Sequence, residues 1–381
     1  MKRNFTIFAA FVIALFMMIM SQSVYANAVS DSAKSAVVID AFSGEILYES
    51  NAYERLPMAS TTKIMSALLA LESGNLDEEF VVDSEAIKVE GSSMGLEEGD
   101  TVTMRALVCG MLLPSGNDAA NAAAVRASGS VEDFVELMNE RAQQIGLEDT
   151  HFVTPSGLDD DTDEHYSTAY DMACLAAYAL QNEDFAQICS QRYIKLSYGN
   201  PPYERWLTNS NKLLDSVDGV IGVKTGFTDK AKRCLVSACE RDGATLICVT
   251  LNDPDDWADH AALYDYAFEL MEEQQLPKSG ESFKLKVAGG EKSLITASTK
   301  EALMTLPSDA LEHLKASVCI EPFAFAPISE GDKVGSVKYY YDDKLIYELD
   351  ITADEDVSAK EYEYSGFDRI YKKLKRLLDG I

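Results

Sequence analysis

The placement of the β-rich segments constrains the fold of this chain more than any other feature. Residues 35–40 and 45–48 are short apolar runs joined by Ala-Phe-Ser-Gly, a pattern typical of a hairpin. Similar runs return far along the chain, at 219–223, 234–238 and 244–251, after a long stretch in which apolar residues recur at helical spacing. Strands from distant parts of the sequence must therefore share one sheet, and the pattern predicts an α+β domain.

Helices are predicted where the apolar period is close to 3.6 residues. One begins near Ser60 and ends at Gly74, a glycine in the position of a C-terminal cap. The others are predicted at 104–113, 118–127, 131–145, 168–180 and 258–272.

The composition changes after Pro277 to short alternating runs rich in Lys, Glu, Val and Gly, a pattern typical of antiparallel strands. Strands are predicted at 283–287, 293–297, 317–320, 333–341 and 345–351. We therefore predict an α+β catalytic domain at 27–276 and a small β-sandwich domain at 277–357.

The amino terminus has the pattern of a secretory signal peptide, with Lys2 and Arg3, an apolar run at 5–20 and small residues around Ala26. The run holds 16 residues, short of the roughly 20 that a membrane-spanning helix needs, although an uncleaved anchor remains an alternative. We expect residues 1–26 to be removed and the mature protein to work outside the cytoplasm.

The charge of the chain excludes one class of partner and its carboxyl terminus suggests another. A formal charge of −30, from 33 Lys and Arg against 63 Asp and Glu, disfavours nucleic-acid binding. Residues 367–381 reverse that charge and place apolar residues on one helical face opposite basic ones. The pattern predicts an amphipathic helix at 358–381 that anchors the protein on an anionic membrane. The alternative is a helix docked on the acidic body of the protein itself.

Metal chemistry has few candidate residues. The seven cysteines form no CxxC pair, and the four histidines form no HExxH motif. We therefore expect no metal ion and no cofactor.

The first chemical motif is a serine and a lysine one helical turn apart, Ser60 and Lys63 in the sequence SxxK. At this spacing the two side chains share a helix face, so the amine can reach the hydroxyl. A serine is a weak nucleophile until a base takes its proton, and Lys63 can be that base if burial and a second cation lower its pKa. Lys224 is a candidate for that cation.

Two further motifs supply the rest of such a site. Ser115-Gly116-Asn117 follows Pro114 between two helical runs, where Ser115 can relay a proton and Asn117 can hold a substrate amide. Lys224-Thr225-Gly226 follows an apolar strand, where Lys224 and Thr225 can bind a carboxylate and Gly226 lets a substrate backbone approach.

With these three motifs the chain resembles the low-molecular-mass penicillin-binding proteins, the serine D-alanyl-D-alanine carboxypeptidases of peptidase family S11. The likeness extends to the segments around them, which read PMASTTKIM, GSSM, LPSGNDA, HYSTAYDMA and GVKTGFT. It covers essentially the whole mature chain.

The resemblance implies a serine β-lactamase/transpeptidase-like catalytic domain, with an antiparallel sheet flanked by helices, followed by an all-β domain and an amphipathic anchor. It implies an enzyme of cell-wall synthesis and remodelling that removes the terminal D-alanine from peptidoglycan stem peptides and is acylated by β-lactams. Ser60 would be the nucleophile and Lys63 its base, and the N–H groups of Ser60 and Phe227 would form the oxyanion hole. Ser115, Asn117 and Lys224-Thr225-Gly226 would take the supporting roles given above.

Two segments depart from the pattern of the family. Residues 252–260 lack the arginine that usually helps to hold the substrate carboxylate, which leaves Lys224, Thr225 and either His260 or Arg233 for that role. Residues 159–164 are unusually acidic, but the residue types at the sixth and twelfth positions argue against a calcium loop, and a solvated loop is expected.

Three other functions fit parts of the sequence. A serine β-lactamase shares the three motifs but needs a deacylating base, and no Glu followed four residues later by Asn lies between Ser115 and Lys224. An α/β-hydrolase could be proposed from GSSMG at 91–95, although the flanking residues are too polar for the required strand. A wall-peptide binding module without turnover is the non-enzymatic alternative, against which the intact Ser60 and Lys63 argue.

Overall fold

The computed structural model of the chain describes residues 29–159, 162–341, 343–361, 370–371 and 373–376. These residues form two compact units. The first comprises the chain up to Ile39, Ile46–Glu240 and Leu246–Glu269; the second comprises Asp40–Glu45, Arg241–Thr245 and the chain from Leu270 onward. The second unit begins before the predicted residue 277 because Met271–Gln275 forms a strand that pairs with Leu303–Pro307.

The first unit contains a helical layer and a sheet. Its strands are β1 (Ser35–Asp40), β2 (Ile46–Ser50), β3 (Glu79–Val81), β4 (Thr101–Thr103), β5 (Tyr193–Gly199), β6 (Pro202–Thr208), β7 (Val220–Thr228), β8 (Lys232–Arg241) and β9 (Ala244–Leu251). Its helices are α1 (Lys63–Glu72), α2 (Met104–Leu112), α3 (Asn117–Ser128), α4 (Val131–Gln144), α5 (Ala169–Ala179), α6 (Glu183–Cys189), α7 (Leu213–Ser216) and α8 (Asp256–Phe268).

The five-stranded sheet has the order β2-β1-β9-β8-β7. The predicted pairing of strands from the two ends of the domain is confirmed, since β1 lies beside β9. Every residue of β1 is buried, which explains its continuous apolar run. Strand β7, which carries Lys224-Thr225-Gly226, is the last strand in this order and therefore leaves one edge available to a substrate.

Helix α1 is the centre of the helical layer, and all its residues except the last are buried. Helix α3 packs through five buried alanines, whose small side chains allow helices to approach closely. Side chains cap several of the other helices, because a hydroxyl or amide oxygen accepts the backbone N–H three residues on. These caps are Thr103 for α2, Ser130 for α4, Thr168 for α5 and Asn182 for α6.

Two sequence predictions for the first unit are incomplete. The last helix ends at Phe268 rather than 272, because the following residues form a strand of the second unit. The β5–β6 hairpin was not predicted at all.

Between Met271 and Ala353, the described residues of the second unit form strands and one short helix. Its elements are β10 (Met271–Gln275), β11 (Ser282–Ala288), β12 (Leu294–Thr299), β13 (Leu303–Pro307), α9 (Ala310–His313), β14 (Leu314–Ile320), β15 (Ala324–Phe325), β16 (Lys333–Tyr341) and β17 (Lys344–Ala353). Six strands form a sheet in the order β14-β16-β17-β12-β11-β15, and β10 pairs with β13 in a ribbon. Leu306 of the ribbon and Val337 of the sheet belong to one buried cluster, so the predicted all-β domain has its own core.

The predicted signal peptide at 1–26 lies outside the described residues, as does most of the predicted anchor at 358–381. Of the predicted apolar stripe, the described Ile370, Tyr371 and Leu374 are helical and exposed. Within the described ranges, no helix combines the length and apolar character needed to cross a membrane.

Candidate active site

Ser60 lies in a 3-10 turn, Ala59–Thr62, that leads directly into α1. The backbone at Gly157 and at Gly226 packs closely against this turn. A Cβ at Gly157 would lie 2.0 Å from the Ala59 carbonyl oxygen, and a Cβ at Gly226 would lie 3.2 Å from the Ser60 nitrogen. Gly157 also has a φ of +88°, so only glycine satisfies both its conformation and its surroundings. The Ser60 hydroxyl is thus held at the start of a helix, where free N–H groups favour negative charge.

A buried histidine that motif analysis assigned no role holds this turn. The Val153 N–H donates to His165 Nδ1 at 2.9 Å, so Nε2 carries the ring proton and donates to Thr62 Oγ1 at 2.8 Å. Thr62 in turn donates to the Ala59 carbonyl oxygen at 2.8 Å. Burial lowers the pKa of His165 to about 3, which keeps the ring neutral. The segment HYSTAYDMA contained this signal, but the sequence did not show what His165 contacts.

Lys63 is fully buried, and its Nζ meets three oxygen atoms. It donates to Ser60 Oγ at 2.8 Å, to Asn117 Oδ1 at 2.7 Å and to the Ser156 carbonyl oxygen at 2.6 Å. The predicted contact between the serine and the lysine is therefore present. Ser156, which the motifs did not identify, lies in a separate loop, and its carbonyl oxygen helps to orient the Lys63 amine.

The pKa of Lys63 is lowered well below its ordinary value, first by burial and next by the charge of Lys224, while Asp118 opposes the shift. Burial also lowers the pKa of Lys224, to about 7. An uncharged amine has a free lone pair, so Lys63 can accept the Ser60 proton across the same 2.8 Å contact. Lys224, the candidate second cation, thus contributes to the shift, and its role in catalysis stays a prediction.

The Ser115-Gly116-Asn117 loop enters the site at the start of α3. Asn117 joins two segments, because its Oδ1 accepts from Lys63 and its Nδ2 donates to the Glu90 carbonyl oxygen at 2.7 Å. Ser115 is buried and has a φ of +65°, an uncommon conformation for a residue other than glycine. Its role as a proton relay, and the contact of Asn117 with a substrate amide, stay predictions.

Asp118 holds the loop that carries the GSSM segment. Its carboxylate accepts the N–H groups of Met94 at 2.9 Å and Leu96 at 3.0 Å, and the Ser93 hydroxyl at 2.6 Å. The α/β-hydrolase interpretation of this segment is wrong, because it lies in a loop between β3 and β4 and joins no sheet strand to a helix. Asp118 was not singled out in the sequence, since the pattern SGND does not show where its carboxylate points.

Lys224 is a buried residue of β7, and its Nζ donates to the Thr225 carbonyl oxygen at 2.6 Å. The Thr225 hydroxyl lies 2.7 Å from the hydroxyl of Ser210, a residue that the motifs missed. Phe227 is 61% exposed on the same edge strand. Two hydroxyls and a buried ammonium thus lie along the edge of β7, and hydroxyl and cationic donors suit a carboxylate.

The two alternative carboxylate ligands have different surroundings. His260 is fully buried, with Nδ1 2.7 Å from Ser237 Oγ and Nε2 3.0 Å from Thr250 Oγ1. Burial also lowers its pKa to about 3. Because the ring is fully buried and both nitrogens have hydroxyl partners, the prediction that His260 could bind a substrate carboxylate is wrong. Arg233 lies opposite Phe227 on β8 and its Nη2 donates to Asp256 at 2.5 Å.

Three residues of the acidic segment 159–164, Asp159, Thr162 and Asp163, contact the end of β7 and the turn that follows it. Thr228 Oγ1 donates to Asp159 at 3.2 Å, and Lys230 pairs with Asp163 and donates to the Thr162 carbonyl oxygen. No group of three or more potential metal ligands occurs in the part of the chain that the structure describes.

Comparison with known proteins places this geometry in a family. Residues 21–255 match the D-alanyl-D-alanine carboxypeptidase family, Peptidase S11, and residues 272–359 match the C-terminal domain of penicillin-binding protein 5. The chain is 34% identical to the D-alanyl-D-alanine carboxypeptidase DacF of Bacillus subtilis, over 85% of this chain and 86% of that protein.

Two solved structures have the same fold. Penicillin-binding protein 5 of Haemophilus influenzae matches with a TM-score of 0.62 and 30% identity, over 86% of this chain and 98% of that one. The DD-transpeptidase of Streptomyces K15 matches with a TM-score of 0.60 and 32% identity, over 63% of this chain and 98% of that one. The chain therefore belongs to the D-alanyl-D-alanine carboxypeptidases of peptidase family S11, a family of serine hydrolases that act on peptidoglycan.

Proposed function

We propose that Ser60 is the nucleophile that removes the terminal D-alanine from peptidoglycan stem peptides, with Lys63 as its base. The observation that carries this proposal is the contact of 2.8 Å between Lys63 Nζ and Ser60 Oγ, made by a buried lysine whose pKa is lowered. Lys63 accepts the hydroxyl proton as Ser60 Oγ attacks the carbonyl carbon between the two D-alanines. The bond to the leaving amine then breaks, the amine gains a proton, and water hydrolyses the ester to restore Ser60.

The oxyanion of the tetrahedral intermediate would lie between the N–H groups of Ser60 and Phe227. Two features support this placement: β7 is the edge strand, and Gly226 leaves room beside the Ser60 nitrogen. Ser115 would return the proton to the leaving amine. The extended substrate would lie along β7 as an added strand.

The terminal carboxylate of the substrate would bind at Lys224 and Thr225. Lys224 supplies a buried ammonium, and the Thr225 and Ser210 hydroxyls, 2.7 Å apart, supply donors that can rotate toward an anion. β-Lactams carry a carboxylate near their reactive amide, so they would acylate Ser60 in the same orientation.

Two measurements test the assignment of the nucleophile. The purified mature protein should release D-alanine from a soluble pentapeptide ending in D-Ala-D-Ala, and a labelled penicillin should form a covalent adduct that peptide mapping locates on Ser60. Ser60→Ala should abolish both. Ser73→Ala, which removes an exposed serine at the C-terminal cap of the following helix α1, should change neither. Labelling that survives in Ser60→Ala contradicts the assignment, and labelling without D-alanine release indicates a binding module.

We also propose that the chain is exported by residues 1–26 and held at the outer face of the cytoplasmic membrane by residues 367–381. The exposure of Ile370, Tyr371 and Leu374 supports an apolar face that is available to lipid. Basic residues in the same segment add about 1 kcal/mol each at an anionic surface, so salt should weaken the attachment.

Truncation after Ser365 tests the anchor. It should release the mature protein from anionic vesicles and leave D-alanine release from a soluble peptide unchanged, because the proposed catalytic residues all precede residue 230. Replacing Lys373, Lys375 and Arg376 by Gln should weaken vesicle binding, whereas the same change at the exposed Lys284, Lys286 and Lys300 should not. Vesicle binding that survives truncation shows that another segment is the anchor.

A further inference from the structure

The β5–β6 hairpin has two faces of different character. Its register places Tyr193 opposite Thr208, Lys195 opposite Trp206 and Ser197 opposite Glu204, and all six side chains lie on one exposed face, called here the outer hairpin face. The opposite face includes the buried Tyr198 and Leu207. Tyr198 donates to the Met94 carbonyl oxygen at 2.7 Å, so the hairpin is fixed to the body of the protein by its inner face.

The outer hairpin face exposes two large rings side by side. Tyr193 and Trp206 are 60% and 61% exposed, and their ring centroids lie 5.5 Å apart. Lys195 Nζ lies 5.8 Å from the Trp206 ring and forms an ion pair with Glu204 at 2.7 Å. Exposed aromatic surface bordered by polar groups marks an interaction site, because tryptophan and tyrosine supply rigid contact area at little cost in conformational entropy.

This face is continuous with the active site. Strand β6 ends at Thr208, and two residues later Ser210 lies 2.7 Å from the Thr225 hydroxyl. Trp206 and Ser210 are four residues apart in the chain and so lie at most about 13 Å apart, the length of a fully extended segment. The hairpin is also joined to the loop that Asp118 holds, since Arg205 donates to the Gly95 carbonyl oxygen. The hairpin therefore lies next to the end of the site that would receive the substrate carboxylate.

We propose that the outer hairpin face binds a sugar strand of peptidoglycan. A pyranose ring has an apolar face of C–H bonds, which packs on an aromatic ring, and an edge of hydroxyls, which suits Lys195, Glu204, Ser197 and Thr208. The inference rests on the proposed function, because the stem peptides on which the site acts are attached to such strands. Because Lys195 and Glu204 neutralise each other and the chain carries a formal charge of −30, the face is a poor match for an anionic membrane.

The position of the rings specifies which strand they bind. A stem peptide with its carboxylate at Thr225 and its body along β7 extends away from Ser210 and the hairpin. The sugar strand at Tyr193 and Trp206 is therefore a neighbouring strand of the wall rather than the strand that carries the cleaved stem. The face would hold the enzyme on the polymer without contacting the bond that is cut.

The test uses the purified full-length mature protein and soluble glycan strands from which the stem peptides have been removed enzymatically. Trp206→Ala should weaken binding about 10-fold, the effect of losing a central aromatic contact, and Trp206→Phe, which keeps a ring, should retain most of it. D-alanine release from a soluble pentapeptide should stay within about twofold of the parent in both variants. The matched control is Phe325→Ala, which removes a 72% exposed ring from a ring pair in the second unit.

Three outcomes overturn the inference: the parent does not bind glycan strands, Trp206→Ala binds them as well as the parent does, or Phe325→Ala weakens binding equally. A parent that self-associates through Trp206 and ignores glycan assigns the face to a second copy instead. Failure of the proposed function is separate, because it appears as an absence of D-alanine release from the soluble pentapeptide.

Discussion

Replacing Asp118 by Asn tests whether its carboxylate holds the loop at 93–96. One carboxylate oxygen accepts the N–H groups of Gly95 and Leu96 and the Ser93 hydroxyl, and the other accepts the N–H groups of Met94 and Ala119. An amide replaces one oxygen by an NH₂ group, which cannot accept. In one orientation of the amide the Met94 and Ala119 N–H groups lose their acceptor. In the other the Leu96 N–H group does, while Gly95 still donates to the Ser93 hydroxyl at 2.8 Å.

The size of the effect follows from burial. Asp118 is 2% exposed, so water cannot readily replace the lost acceptor. At least one donor loses its acceptor in either orientation, and each costs about 1–3 kcal/mol, so Asp118→Asn should lower the free energy of unfolding by at least about 1–3 kcal/mol. With an m-value of about 2 kcal/mol/M, the urea midpoint should fall by at least about 0.5–1.5 M.

Tryptophan fluorescence provides the assay, because both tryptophans of the chain, Trp206 and Trp257, lie in the first unit. The signal therefore reports unfolding of the catalytic unit. Asp83→Asn is the matched control, since it removes the same charge at an exposed position. The Asp83 oxygen that accepts from Glu85 and Ala86 survives the change, so its effect should stay within about 0.5 kcal/mol. If Asp118→Asn costs no more than Asp83→Asn, the carboxylate does not hold the loop.

Three further predictions concern the chemistry of Ser60. Lys63→Ala should slow acylation by a labelled penicillin by about 10²–10⁴-fold, the usual contribution of a general base, and unchanged acylation would remove Lys63 from the mechanism. In the proposed mechanism a charged Lys224 binds the substrate carboxylate, and burial lowers its pKa to about 7, so kcat/KM for D-alanine release should fall as the pH rises through about 7. Lys224→Arg stays charged and should lose this alkaline fall; a profile that keeps it would show that another group titrates. Gly157→Ala, whose Cβ would lie 2.0 Å from the Ala59 carbonyl oxygen, should abolish acylation, whereas Gly146→Ala, also at positive φ but with open space around it, should acylate like the parent. Equal acylation by the two glycine variants would show that Gly157 does not shape the turn.

The sequence predicted the parts of the fold that depend on local pattern. The buried run of β1 and the helical period of α1 are visible in the residues themselves, and both elements are present. The β5–β6 hairpin was missed because its turn, Asn200-Pro201, contains neither of the usual two-residue glycine signals. The end of α8 was misplaced because Met271–Gln275 has no apolar alternation of its own and becomes a strand only by pairing with β13.

The active site was predictable where a motif fixes both residue type and spacing. The contact of Ser60 with Lys63 follows from their positions one turn apart. Ser156, His165 and Ser210 were not predictable in the same way, because each comes from a segment distant in sequence from the residue that it contacts. Ser156 contributes a carbonyl oxygen, His165 its ring nitrogens and Ser210 a hydroxyl. His260 shows the reverse error, since a histidine in an acidic segment is buried against the sheet with both ring nitrogens occupied.

The low pKa of Lys63 connects the fold to the chemistry. A lysine on an exposed helix of a chain with a charge of −30 would keep its proton at neutral pH and could not act as a base. Burial favours the uncharged amine when no carboxylate forms an ion pair with it. The three partners of Lys63 Nζ are a hydroxyl, an amide oxygen and a carbonyl oxygen, none of which carries a charge. These neutral acceptors come from the α1 turn, the start of α3 and the loop at 156. The predicted activity therefore depends on the packing of segments far apart in the sequence, and substitutions that loosen this packing should reduce acylation even when Ser60 and Lys63 are intact.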